Sequence, residues 1–270
     1  MAQLDPSTAS PAPADYYAQI ESGAAAIGAL VAAGDLARPI PTCPEWTLRE
    51  LAVHVGRAHR LAAQITATRS PEFIEFRSLP DGRFPGAPAA QAAWLAAGAR
   101  RAVAAIDEAG QDPVWGFGSM VPASFWGRRM CHETLVHAAD AQLAAGQEPD
   151  PAPALAADGI DEWLTVLMPP RAGQADPREQ ALPAGAALHV RPADAGGWVI
   201  RREPAGVTVT RTAGPGEPAA GEDGGDGAVV AGPAARLLLL LLRRVPAGDP
   251  ALTVSGDRAV LDRWLAAAQF

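Results

Sequence analysis

The chain has 270 residues, which suits one large domain or two smaller ones with ample material for a core. Hydrophobic residues make up 49% and charged residues 19%, as is typical of a soluble globular protein. The net charge of −8, with no basic cluster beyond paired arginines, argues against a nucleic-acid partner or an anionic membrane surface. All 22 basic residues are arginine, which excludes a lysine Schiff base and a P-loop lysine.

The compartment is predicted from cysteine usage and from the N-terminus. Cys43 and Cys131 are too few for a disulfide framework and form no CxxC motif. The first residues show neither a basic segment nor an apolar one, so no signal peptide is predicted. The leucine run at 237–242 is far shorter than the ~20 residues that span a bilayer. We therefore expect a cytoplasmic protein that does not enter a membrane.

The first two predicted helices are marked by their ends. Apolar residues recur at helical spacing over 14–33, and Gly34 follows as a stop signal. Thr47 and Glu50 have the spacing of a capping box at the start of a second helix, and Trp46 can pack against Leu51. The apolar face of this second helix carries His54.

Three further helices are predicted before the pattern changes. They cover 89–109, 125–146 and 155–167. In the fourth, Ser124 is the expected N-cap and Gly146 the expected residue after the C-cap. From 185 onward, alternating and β-branched residues predict strands at 187–191, 198–202 and 207–211.

A short strand near Val229, a helix from Pro233 to Arg244, a strand at 252–255 and a helix at 258–268 complete the chain. The expected architecture is therefore a helical bundle over 14–168 followed by a small α+β domain over 185–270.

The fourth helix carries a candidate metal site. Glu133 and His137 are four residues apart and point from one face, and Asp140 continues that face. The neighbouring residues on this face are apolar, so these polar groups point toward a core. Buried ionisable groups must be paired or bind a metal. A glutamate and a histidine on adjacent turns supply two ligands of a zinc-type site.

His54 is the candidate third ligand, because inward faces of bundle helices meet in the interior. Two imidazoles and one carboxylate leave open positions, as in a catalytic metal site, and Asp140 could hold a ligand histidine from behind. The alternative is a core histidine at position 54 with Glu133 paired to Arg129. His59 and His132 project from other sides of their helices and are expected at the surface. Cys131 is expected in the packing; Cys43 lies near the site or serves as a small apolar residue.

Two segments resemble one known family. Residues 41–54 (PTCPEWTLRELAVH) and 125–141 (FWGRRMCHETLVHAADA) are similar, in order and approximate spacing, to the two signature segments of the mycothiol-dependent maleylpyruvate isomerase family. The resemblance implies a DinB-like four-helix domain that holds a divalent metal, usually zinc, at His54, Glu133 and His137. It also implies a small C-terminal domain related to sterol-carrier folds, in which Arg244 matches the arginine that reaches the metal cleft.

The resemblance implies a metal-dependent and thiol-dependent isomerase or S-transferase. Its partners would be mycothiol as cosubstrate and a small electrophile that carries a carboxylate, and Arg244 would bind that carboxylate. Two alternatives stay open: a non-catalytic metal- or ligand-binding protein, and a hydrolase that uses the same metal. A monomer or a homodimer is expected.

Overall fold

The structure is a computed structural model that describes residues 11–170, 174–212, 214–215 and 227–267. It contains two compact units, Ala12–Asp150 and Pro151–Phe270. The division therefore falls between Asp150 and Pro151, earlier than the boundary at 168 that the sequence predicts. The predicted fifth helix packs against the leucine-rich helix and therefore belongs to the second unit, which explains the difference. Among the described residues, no helix combines the length and the apolar character that a membrane crossing requires.

The first unit is a four-helix bundle. Helices α1 and α2 each pack against both α3 and α4, so α2 and α4 are neighbours. A two-stranded antiparallel hairpin, which the sequence analysis missed, connects α3 to α4. The elements are α1 (Pro13–Ala32), α2 (Leu48–Thr68), α3 (Pro88–Ala109), β1 (Pro113–Gly116), β2 (Ser119–Pro122) and α4 (Ser124–Ala144). A 3₁₀ turn at Phe76–Ser78 lies in the segment between α2 and α3.

The start of α2 is fixed by the predicted capping box. The Thr47 backbone N–H donates to Glu50 Oε2 at 3.0 Å, and the Glu50 N–H donates to Thr47 Oγ1 at 3.5 Å. These bonds satisfy N–H groups that have no partner within the helix. The Ile40 N–H also donates to the Trp46 carbonyl, which ties down the approaching segment. His54 follows about two helical turns later, so its position is set by this start.

The start of α4 differs from the prediction. Ser124 is the first helical residue, and Ala123 precedes it as an N-cap without a side-chain hydrogen bond. The chain is held here by the connection between α3 and β1, because the Ala123 N–H donates to Asp112 O and the Ser124 N–H donates to Gly110 O. The predicted end is confirmed: Gly146 has φ of +70° and its N–H donates to Leu143 O.

The bundle core is apolar, and one glycine allows two helices to approach closely. A Cβ on Gly56 in α2 would lie 2.0 Å from the Trp94 ring of α3. Arg60, one turn later, places its guanidinium carbon 3.9 Å from the Trp94 ring centroid. Helix α2 is therefore buried on the side of α3 as well as on the side of α4.

The second unit is the predicted α+β domain. Its five-stranded sheet has the order β5-β4-β3-β6-β7, with β3 parallel to β6 and the other neighbours antiparallel. Helix α5 packs against α7, and α6 packs against α8. The elements are α5 (Pro153–Glu162, extended by a π-helical turn Trp163–Leu167), α6 (Pro177–Ala181), β3 (Ala187–Pro192), β4 (Trp198–Glu203), β5 (Gly206–Arg211), β6 (Gly227–Gly232), α7 (Ala234–Leu241), β7 (Thr253–Gly256) and α8 (Arg258–Ala267).

The leucine run forms core, as its composition predicts. Every leucine from 237 to 242 is at most 5% exposed. Helix α7 is shorter than predicted, because Pro233 is its N-cap and Leu242 its C-cap. Arg243 has φ of +63° and turns the chain away, so Arg244 lies beyond the helix. Position 268, the predicted end of the last helix, lies outside the described residues.

Candidate metal centre

Three side chains from two neighbouring helices converge on one point inside the bundle. His54 Nε2 of α2 lies 2.5 Å from Glu133 Oε1 of α4, and His137 Nε2 lies 3.4 Å from the same oxygen. One ligand-type atom from each of the three residues lies within 4.8 Å of the other two. The local reason is the spacing on α4, which places residues 133 and 137 one above the other.

Asp140 contacts the imidazole of His137 at the nitrogen that faces away from Glu133. His137 Nδ1 lies 2.9 Å from Asp140 Oδ2. Because an ionised carboxylate only accepts hydrogen bonds, this contact places a proton on Nδ1 and leaves Nε2 as the nitrogen that faces the centre. Asp140 is fully buried, and the Thr42 hydroxyl donates to its Oδ1 at 2.6 Å. Asp140 thus contacts the imidazole of His137, and its role behind a metal ligand stays a prediction; Thr42 is a contact that the sequence analysis missed.

The two oxygens of Glu133 have different partners. Arg129 Nη2 donates to Oε2 at 2.9 Å, while Oε1 faces the two histidines. The predicted alternative, an ion pair between Glu133 and Arg129, is therefore present together with the convergence of His54 and His137. In the metal-free protein the two imidazoles also contact the other oxygen of Glu133 as hydrogen-bond partners.

The electrostatics of the centre favour a bound positive charge. Burial would raise the pKa of Glu133, but hydrogen bonds from His137 and His54 and the nearby Arg129 hold it well below its usual range. Burial would likewise lower the pKa of His137, but Asp140 and Glu133 raise it to about 9. Glu133 and Asp140 thus stabilise positive charge at His137. Two imidazole nitrogens and a carboxylate oxygen are also donors that suit a divalent transition-series ion.

The centre is open on the side of His54. The His54 side chain is 39% exposed, compared with 19% for Glu133 and 12% for His137. A cleft of about 830 Å³ reaches His54 on this side. The Trp46 ring partly covers the donors, with its centroid 4.7 Å from that of His54 and 5.6 Å from that of His137. Three protein donors with one open side are the arrangement of catalytic metal sites, whereas structural sites are closed.

The other two histidines of the bundle and the two cysteines are placed as follows. The prediction of a surface position is wrong for His59 and His132, which are 0% and 3% exposed. Helices α2 and α4 each contact the three other helices of the bundle, so more than one face of each is buried. Cys131 is buried in the packing, as predicted. Cys43 lies beside the centre, where its Sγ is 3.7 Å from Asp140 Oδ2.

Arg244 lies in the second unit. Its backbone N–H donates to the Leu239 carbonyl, and its Nη1 donates to the Leu242 carbonyl at 2.6 Å. The side chain thus binds a carbonyl at the end of α7, where a cation also interacts favourably with the helix dipole. Its function toward a substrate stays a prediction.

Comparison with known proteins gives a consistent result across the chain. The family model described as Mycothiol maleylpyruvate isomerase N-terminal domain matches residues 17–142, and the MDMPI C-terminal domain model matches residues 154–263. A crystal structure of the mycothiol-dependent maleylpyruvate isomerase is 18% identical with a TM-score of 0.54, and a structure of a histidine-to-alanine variant of that isomerase is 17% identical with a TM-score of 0.55.

Each alignment covers 91% of this chain and 93% of the isomerase chain, and at such identities the likeness concerns the fold. None of the curated protein sequences that were compared matches this chain. The two family models together cover nearly all of both compact units, and each structural alignment covers most of the chain. The chain therefore belongs to the mycothiol-dependent maleylpyruvate isomerase family.

Proposed function

We propose that this protein is an enzyme that uses a divalent metal, zinc, and a low-molecular-weight thiol, mycothiol, to isomerise or S-conjugate a small electrophile that bears a carboxylate. The observation that carries the proposal is the convergence of His54 Nε2, His137 Nε2 and Glu133 Oε1 at a point open on one side. The family supports the thiol, because the related crystal structures are of a mycothiol-dependent isomerase.

The metal would be held by His54, Glu133 and His137. A bound Zn²⁺ acts as a Lewis acid and lowers the pKa of a thiol beside it, so that the thiolate is available at neutral pH. Asp140 keeps the Nδ1 proton of His137 in place, and Arg129 occupies the second oxygen of Glu133. Both contacts fix ligand orientation before anything binds.

The remaining steps concern the thiol and the electrophile. Addition of the thiolate to an unsaturated carbon, rotation about the resulting single bond and elimination of the same thiolate convert a cis alkene to a trans alkene and regenerate the thiol. If the thioether is not eliminated, the same addition gives S-transfer, with a proton added at the neighbouring carbon. Arg244 is the proposed anchor for a substrate carboxylate.

The open side at His54 favours an enzyme over the non-catalytic binding protein, since a site built only to hold a metal can close around it. A cytoplasmic location and a monomeric or homodimeric state belong to the same proposal.

Substitution with cobalt tests the proposal. Addition of mycothiol to the cobalt protein should produce a sulfur-to-cobalt charge-transfer band, and the same addition to the His137→Ala variant should not. Absence of the band at saturating thiol would remove the thiol mechanism and favour the hydrolase or the binding protein.

A further inference from the structure

A cleft rich in arginine adjoins the metal centre within the first unit. Arg49 and Arg57 lie on α2 two turns apart, and Arg83 comes from the segment before α3. All three side chains are exposed to solvent. Glu50 supplies a carboxylate to the same cleft, but its Oε2 already accepts the Thr47 N–H. The lining therefore carries a positive excess in a chain whose net charge is −8.

The three guanidinium groups lack anionic partners. Across the part of the chain that the structure describes, none of them forms an ion pair with a carboxylate. Arg57 donates a hydrogen bond from its Nε to the Gly82 carbonyl at 3.2 Å. Both of its terminal NH₂ groups are therefore available to a ligand. Such unpaired groups, grouped in one concave surface, are suited to a planar oxyanion.

The walls between the arginines are aromatic. Phe84 is buried beneath Arg49, whose guanidinium carbon lies 5.3 Å from the ring centroid. Phe76 is 43% exposed at the same cleft, and Trp46 forms part of its lining. A ligand that fits these surfaces combines an anionic group with a flat apolar body.

The cleft and the metal centre share two residues. His54 and Trp46 line the cleft, and both belong to the metal centre described above. Of the three donors, His54 is the most exposed and the one that lines the cleft, so a molecule seated on the arginines meets the centre at His54. The volume of about 830 Å³ is within the range of about 300–1,000 Å³ that is typical of small-molecule pockets.

We propose that Arg49, Arg57 and Arg83 form a second anion-binding subsite for the electrophile, separate from the anchor proposed at Arg244, and that the ligand is an organic carboxylate with a flat, conjugated body. Its carboxylate contacts the guanidinium groups and its body lies on the aromatic walls, which directs the unsaturated carbon toward the centre. The identification of this anion as the electrophile rests on the proposed function. The three arginines are specificity-determining residues of the site.

Calorimetric titration of the metal-loaded protein with trans-cinnamate, in the absence of thiol, tests the subsite. Cinnamamide is the matched probe, because it keeps the flat body and loses the charge. We expect saturable binding of cinnamate that weakens as the salt concentration rises, and much weaker binding of the amide. Arg49→Gln, Arg57→Gln and Arg83→Gln should each weaken cinnamate binding by about tenfold or more, the usual loss when a hydrogen bond to a charged group is removed.

Arg100→Gln is the matched control. Arg100 is an exposed arginine of α3 outside the cleft, and its replacement should change the affinity by less than about twofold. Metal content and melting temperature of every variant show that the fold is retained. Equal affinity for cinnamate and cinnamamide, no binding of cinnamate by the wild-type protein, or wild-type affinity in the folded arginine variants would each overturn the proposal.

The two proposals fail separately in these experiments. Arginine-dependent binding of cinnamate without a cobalt–thiol band would leave the subsite in place and remove the thiol mechanism. A normal cobalt–thiol band, together with cinnamate binding that is unchanged in the three arginine variants, would remove the subsite alone.

Discussion

His59 should make the stability of the metal-free protein depend on pH in a defined window. It is fully buried, and the Thr134 hydroxyl beside its Nε2 donates to the Met130 carbonyl. Nε2 must therefore carry the proton and donate to Thr134, while Nδ1 is buried without a hydrogen-bond partner. Protonation of Nδ1 would place a charge in the core. Burial, partly offset by Glu133, lowers the pKa of His59 from 6.5 to about 4.

The sign and size of the effect follow from this pKa. Between about pH 6.5 and pH 4 the unfolded chain binds a proton that the folded protein excludes, so stability falls as the pH is lowered through this window. At about 1.36 kcal/mol per pKa unit, the loss amounts to about 3 kcal/mol. Below about pH 4 both states are protonated and the contribution of His59 levels off.

Denaturant unfolding of the wild type and of His59→Gln, with chelator present from pH 7.5 to pH 4, measures this loss. Glutamine does not titrate in this range and keeps an N–H donor for Thr134. The free energy of unfolding of the wild type should fall relative to that of the variant by about 3 kcal/mol across the window. Parallel curves for the two proteins would refute the reasoning.

Three further predictions concern the cap, the support of the metal ligand and the second unit. Thr47→Ala removes the capping box with Glu50 and should lower the free energy of unfolding by about 0.5–2 kcal/mol, and an unchanged denaturant midpoint would argue against it. Asp140→Asn should weaken metal binding by about 10–100-fold in a competition with a chromophoric chelator, because the Asp140 carboxylate that orients His137 is lost; undiminished affinity would show that Asp140 has no such role. Arg244→Ala should abolish turnover or substrate binding while metal content and melting temperature stay nearly unchanged, and Arg243→Ala is its control. If only Arg243→Ala is inactive, the assignment is off by one residue.

The parts of the site that depend on local spacing could be predicted from the sequence. Glu133 and His137 share a face because they are four residues apart, and the capping box fixes where the helix of His54 begins. The partner of these residues across the bundle, His54, followed from its position on an apolar face. The end of α4 could also be predicted, because glycine readily adopts the positive φ that Gly146 has after the C-cap.

The errors arise where tertiary contacts decide. Ser124 has the chemistry of an N-cap, but carbonyl groups of the connection between α3 and β1 accept the hydrogen bonds that hold the start of α4. His59 and His132 are buried because their helices have neighbours on more than one side, which the period of a single helix does not show. The division at Asp150 depends on the packing of α5 against α7.

The arginine cleft was also missed, although part of its signal is local. Arg49, Val53 and Arg57 are spaced four residues apart, beside the row that carries Glu50 and His54. This spacing places two arginines on the His54 side of α2. The other side of the cleft comes from residues 76–86. The Arg57–Gly82 hydrogen bond that joins this segment to α2 cannot be predicted from the sequence.

The metal content of the purified protein tests the central claim most directly. Elemental analysis of protein prepared without added metal should give one divalent ion per chain, and His137→Ala and Glu133→Gln should each lose it. His59→Gln, at a buried histidine outside the three-residue centre, should retain the ion. Full zinc occupancy in folded His137→Ala would contradict the assignment of His54, Glu133 and His137 as the metal centre.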